Sequence, residues 1–175
     1  MRAVYADRYG SPDVLDIREA PRPEPSAGEV RVRVHATTVS RTDCGNLRGL
    51  PRLARLGTGL LRPKHPVLGL DFAGVVDAVG EGVTRFAPGE RVFGLAPGGV
   101  GAHAESLCVP EDRAIAPIPD GIAFTEAVVC EGVWYAKTYM DAFDLGPDHR
   151  ILVYGASGAI GTAAVQLAKA RGAEV

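Results

Sequence analysis

The stretch Ile151-Leu152-Val153-Tyr154-Gly155-Ala156-Ser157-Gly158-Ala159-Ile160-Gly161, continuing as TAAVQLAKARG over residues 162–172, decides how this chain is read. Four apolar residues, Ile151 to Tyr154, predict a strand covered on both faces, as strands of a parallel sheet are. A glycine-rich turn follows at once. Thr162 to Arg171 then reads as a helix, rich in Ala, with Ala164, Val165 and Ala168 as its apolar positions. Gly172 falls at the C′ place, where a left-handed residue ends a helix, just after Lys169 and Arg171.

Strand, glycine turn and helix in that order form the setting of a dinucleotide fingerprint. Small residues let the main chain approach a pyrophosphate, and Gly161 lets the helix pack tightly on the strand. The first helical N–H groups point at the phosphates, and the helix dipole adds attraction. Ala156, Ser157, Gly158, Ala159, Ile160 and Gly161 are therefore the expected cofactor-binding residues, with Ala156 in the place of the first glycine of G-x-G-x-x-G. An acidic residue for the adenosine ribose is expected about 20 residues after the fingerprint begins. That position falls at or beyond Val175, so the nucleotide-binding half is read as incomplete, with Ala173 to Val175 as the start of its second strand.

Upstream, the first 120 or so residues read as an irregular all-β domain, barrel-like and punctuated by 22 glycines and 13 prolines in the whole chain. Arg2 to Ala6 and Leu15 to Glu19 are predicted strands around a Gly10-Ser11-Pro12-Asp13 turn. Pro21, Pro23 and Pro25 make a stiff connector. Over Glu29 to Val39, Val30, Val32, Val34 and Ala36 alternate with Arg31, Arg33, His35 and Thr37, which predicts one buried and one wet face. His35 is read as a surface residue. The basic run from Arg48 to His65 reads as a solvated loop, or as an active-site wall lending positive potential. Further strands are expected around Val75 to Val79, Arg91 to Leu95, Ala102 to Val109 and Ala114 to Ile118, the last closing the barrel. From Thr125 to about Tyr139 the pattern turns helical. The expected domains are 1–124, a connecting helix and linker over 125–150, and the opening of a nucleotide-binding domain over 151–175.

Bulk properties exclude other classes. A net charge of -2 gives no electrostatic case for nucleic acid or an anionic membrane. No apolar run approaches the ~20 residues of a membrane span, and the N-terminal MRAVYADRYG carries charge where a signal peptide needs an apolar core. Cytoplasm is the expected location. Cys44, Cys108 and Cys130 are too far apart in sequence for a Cys-x-x-Cys motif.

Gly69-Leu70-Asp71-Phe72-Ala73-Gly74-Val75-Val76, Val79-Gly80, Phe86-x-Pro88-Gly89-Glu90-Arg91-Val92 and the Gly155–Gly161 turn together resemble the medium-chain dehydrogenase/reductase superfamily, and within it the zinc-free branch similar to quinone oxidoreductases. The resemblance implies a mixed α/β protein: a GroES-like β-barrel domain followed by the first β-α unit of a truncated Rossmann domain. It also implies hydride transfer from NADPH, ahead of NADH, to a small-molecule quinone, enone or other carbonyl substrate. In zinc-dependent relatives the metal is held by an early Cys, a His in a Gly-His-Glu run and a later Cys. Here Ser40, Leu70 and Cys130 stand in those places and Ala96 to Gly101 occupies the structural-zinc neighbourhood, so no metal is expected. Catalysis then needs hydroxyl or backbone donors for the developing oxyanion. Ser40 and Thr42 are the candidates, each also readable as a turn cap. Arg41 matches a pyrophosphate-contacting place. Asp43 is read as orienting the backbone near Ser40, the replacement at Asp71 puts any role there in doubt, and Trp134 is read as core filler more than pocket wall.

Three readings follow: a reductase, inactive as the 175 residues alone; a non-catalytic nucleotide-binding or structural GroES-like domain; or a β domain with an orphan tail. Residues 151–175, where ordered, are expected to pack on the β domain or on a second copy, as in a homodimer.

Overall fold

The computed structural model describes all residues, 1–175. The chain divides into two compact units, Met1–Val128 and Val129–Val175.

The first unit is built from two sheets. β1 (Arg2–Ala6) and β2 (Leu15–Glu19) pair as an antiparallel hairpin. β3 (Glu29–Thr37), β4 (Asp71–Val79), β5 (Arg91–Leu95), β6 (Ser106–Pro110) and β7 (Ile115–Pro117) form an antiparallel sheet of order β6-β3-β4-β5-β7. Their alternating valines explain the core. Val30, Val32, Phe72, Val76, Val92 and Val109 are fully buried and form one cluster with Phe86 and Leu107. Each such side chain contributes roughly 1.5–3 kcal/mol over leaving it exposed.

The expected barrel does not close. β6 and β7 are the two edges of the sheet and do not pair with each other. β7 is three residues long and ends in Pro117, and β6 ends in Pro110. Proline has no N–H for a ladder, so each of these edge strands ends at one.

The wet face of β3 also departs from simple alternation. Arg33 and His35 are exposed as expected, and His35 stacks on Phe124 with ring centroids 4.5 Å apart. Arg31, by contrast, is buried, because the proline connector lies over it. Its guanidinium donates to Pro23 O at 3.1 Å, to Glu24 Oε1 at 2.9 Å and to Asp77 Oδ1 at 2.7 Å.

α1 (Arg41–Arg48) interrupts a region expected to be all β. Beyond it, part of the basic run is ordered as α2 (Arg55–Thr58). α3 (Phe124–Ala127) lies against β3 and β4.

The second unit pairs α4 (Glu131–Asp141) with α5 (Ala159–Ala170). Met140, Leu145, Ala168 and Ala173 form its core, with Ile151, Ala164 and Leu167 packed on it. The apolar partner of α5 is therefore α4, the helix expected to be a connector. Gly172 takes φ +84, and Ala173 N–H donates to Ala168 O, which ends α5 as the sequence predicts.

The strand expected at Ile151–Tyr154 is not formed. Only an isolated parallel bridge joins Arg150 to Glu174, and Leu152 and Tyr154 are 93% and 99% exposed. A parallel strand is stable when neighbours pair with both its edges and helices cover both its faces. The 175 residues supply one partner residue pair and one pair of helices. Trp134 is likewise 47% exposed, edge-on to Tyr135, and so does not fill core as expected.

Candidate functional site

The candidate residues fall in two places. They lie in different units.

The first is the corner between β3 and α1. Ser40 is the N-cap of α1 in extended backbone. Asp43 N–H donates to Ser40 Oγ at 3.2 Å, and Ser40 N–H donates to Asp43 Oδ2 at 2.8 Å. This reciprocal pair is a capping box, which satisfies two of the orphan donors at a helix start. Ser40 Oγ acts there as acceptor, so its own hydroxyl proton stays available. Ser40 and Thr42 are half-buried and Arg41 is exposed, on consecutive residues of the first turn. Asp43 is buried, and its Oδ1 has no hydrogen-bond partner.

Immediately before the corner, Thr37 Oγ1 donates to Asp71 O at 2.8 Å and Thr38 Oγ1 donates to Asp71 Oδ2 at 2.7 Å. His103 Nε2 lies 2.8 Å from Thr38 O. A carbonyl only accepts, so Nε2 carries the hydrogen. Sequence reasoning missed α1, Thr38 and His103. The signal for α1 was present, as Ser40-x-x-Asp43 with Gly49 beyond the end in left-handed backbone. For Thr38 and His103 there was none, since they are 65 residues apart in sequence.

Leu70 is buried and offers no donor atom, Cys130 is buried, and no three His, Cys, Asp or Glu side chains gather as metal ligands. A cavity of about 610 Å³ borders this corner, lined by Val39, Asp43, Cys44, Leu47, Leu68 and His103, among others; Ser40, Arg41 and Thr42 do not line it.

The second place is the turn 155–161 of the second unit. Gly155 has φ +81 and Gly158 is the N-cap of α5. A Cβ on Gly161 would meet Gly155 O at 2.2 Å and Ala156 Cα at 2.8 Å, so only glycine lets the turn lie against the helix. Thr162 Oγ1 donates to Ala156 O at 3.0 Å and Thr162 N–H to Gly158 O at 2.8 Å, closing the turn. Ala159, Ile160 and Gly161 supply the first-turn amides, which have no partner within a helix. Ala156 to Ile160 are exposed. Small residues, open amides and the positive end of a 12-residue helix suit a diphosphate.

An open antiparallel β unit followed by a glycine-rich turn that opens a helix is the arrangement of a dehydrogenase-like chain. Residues 26–120 match the alcohol dehydrogenase GroES-like domain, and the chain belongs to that family, within the medium-chain dehydrogenase/reductase superfamily. It is 36% identical over 169 residues to a quinone oxidoreductase of Pseudomonas aeruginosa, covering 95% of this chain and 49% of that one. The CurK enoyl reductase superposes with a TM-score of 0.86 at 26% identity, over 98% of this chain and 52% of that one. The quinone oxidoreductase of Thermus thermophilus, solved alone and with NADPH, gives 0.76 at 31% identity, over 99% and 51%. The chain thus spans about half the length of each of these relatives. No helix is long and apolar enough to cross a membrane.

Proposed function

We propose that the protein is a zinc-independent reductase that uses NADPH, ahead of NADH, to reduce a quinone or an enone or other carbonyl compound. The observation that carries this reading is the Gly155–Gly161 turn, closed on α5 with its first-turn amides open. Ala156 to Gly161 would hold the diphosphate. The bound nucleotide supplies the hydride.

The rest of the chemistry falls to side chains of this chain. Ser40 Oγ accepts from the Asp43 amide, which leaves its own proton to be donated to an oxygen gaining negative charge. Thr42, two residues along the same helical turn, is the second hydroxyl. Such fixed donors stabilise an oxyanion without reorganising during the reaction. Zinc independence follows from donor chemistry: a leucine at position 70 and a serine hydroxyl at position 40 leave too few ligands for a stable site. NADPH and the substrate class rest on likeness to relatives whose names state quinone or enoyl reduction, one of them solved with NADPH.

The 175 residues alone should bind the cofactor weakly and turn over little, since one phosphate turn makes only part of a dinucleotide site. The test is an NADPH titration by fluorescence, followed by quinone-dependent NADPH oxidation, on this chain and on a form extended to the length of its relatives. Activity in the longer form supports the proposal. Cofactor binding without turnover of any quinone or enone favours the non-catalytic nucleotide-binding reading.

A further inference from the structure

We propose that Asp71, Thr38 and His103 form a positioning network that fixes the corner carrying Ser40. The proposal rests on the reductase reading for its catalytic consequence only. Thr38 is gripped from both sides, its hydroxyl by the Asp71 carboxylate at 2.7 Å and its carbonyl by His103 Nε2 at 2.8 Å. Thr37 is tied to the Asp71 main chain at 2.8 Å. Ser40 follows two residues later and is locked to Asp43 by the capping box. The β3–α1 corner is thereby attached at three points to the start of β4 and to the segment 102–105 before it becomes helix.

The chemistry favours rigidity over exposure. Asp71 is only 3% exposed, and a buried carboxylate is costly unless its oxygens are hydrogen-bonded. Opening the Asp71–Thr38 contact would leave a buried polar group unsatisfied, so the contact resists opening. In a segment with no ladder partner of its own after Thr37, these bonds determine where the Ser40 hydroxyl points. A catalytic hydroxyl displaced by about 1 Å loses much of its effect. None of the three side chains touches the reacting atoms in this scheme; they act through Ser40.

The test pairs Thr38→Val, which keeps shape and removes the hydroxyl, with Thr38→Ser, which restores it. Amide hydrogen exchange is read by NMR. Thr38→Val should speed exchange about tenfold or more at Asp43, whose N–H donates to Ser40 Oγ, while the β3 and β4 ladders keep wild-type protection; Thr38→Ser should return Asp43 to normal. In the extended active form Thr38→Val should lower kcat about tenfold or more with NADPH KM within about twofold, rescued by serine. Unchanged Asp43 exchange in a folded Thr38→Val protein overturns the network, whether or not the protein is a reductase. Should Thr38→Val not fold, the wild-type imidazole decides: neutral His103 must be the Nε2–H tautomer, and the Nδ1–H tautomer overturns the proposal. Absence of turnover in the wild type with the exchange result intact refutes the reductase reading and leaves the network standing.

Discussion

Ser40 and Asp43 hold each other across the first turn of α1, amide to carboxylate at 2.8 Å and amide to hydroxyl at 3.2 Å. One side chain therefore both caps the helix and is the candidate hydroxyl donor. Ser40→Ala should lose the cap and destabilise the protein by about 1 kcal/mol. In the active form it should also lower kcat about a hundredfold, the usual cost of removing an oxyanion donor. Ser40→Thr keeps both functions and should be mild. Thermal melts and steady-state kinetics separate the two effects, and a Ser40→Ala enzyme of full kcat removes Ser40 from the mechanism.

The phosphate turn separates folding from binding at two glycines. A Cβ on Gly161 meets backbone at 2.2 Å, whereas one on Gly158 finds its nearest atom, Gly155 O, at 3.5 Å. Gly161→Ala should therefore distort the turn and cost about 1–3 kcal/mol. Gly158→Ala should leave the melting temperature nearly unchanged while weakening NADPH, because the new methyl sits where the phosphates approach the amides. Parallel calorimetry and cofactor titration test the contrast. Equal loss of stability in both variants would contradict it.

How much of this was legible in the sequence depends on the range of the interactions. β1, β2 and β5 fall where alternation and turn residues place them, since both signals are local. The fingerprint turn and the Gly172 stop were readable for the same reason. The strand at 151–154 was not, because four apolar residues state a preference that only neighbouring strands can satisfy, and Leu152 and Tyr154 have none here. The edge strands β6 and β7 end at Pro110 and Pro117, visible as residues but not as strand ends. In the site, Ser40 and Asp43 were readable at a spacing of three. The grip of Asp71 and His103 on Thr38 is a long-range contact that no periodicity encodes.

Arg31 offers a further check, since alternation placed it in water and the proline connector covers it. It joins Asp77, Glu24 and Pro23 O, while Arg18 makes exposed pairs with Asp7 and Asp16. Removing one member of a buried pair leaves the other uncompensated. Arg31→Met should cost about 2 kcal/mol, tempered by Arg22, which also pairs with Asp77. Arg18→Met should cost less than about 1 kcal/mol. Urea denaturation of the two variants gives the comparison, and equal costs would show that the connector does not seal Arg31 from water.

Alkaline pH tests the packing of β6 through Cys108. Burial pushes its thiol from 9.0 up to about 11, with Glu29 adding repulsion of a thiolate. The folded state thus keeps its proton at pH values where the unfolded chain has lost it. A folded pKa above the unfolded one means stability is fully present below the unfolded value and falls as pH rises from about 9 to about 11. Cys108→Ala should flatten that fall in urea midpoints measured across this range. At pH 8 the exposed Cys44 should react with iodoacetamide well before Cys108, because the thiolate is the nucleophile and exposure governs access. Mass spectrometry of the partly alkylated protein reads the order directly, and modification of Cys108 first would mean that β6 opens to solvent in the native state.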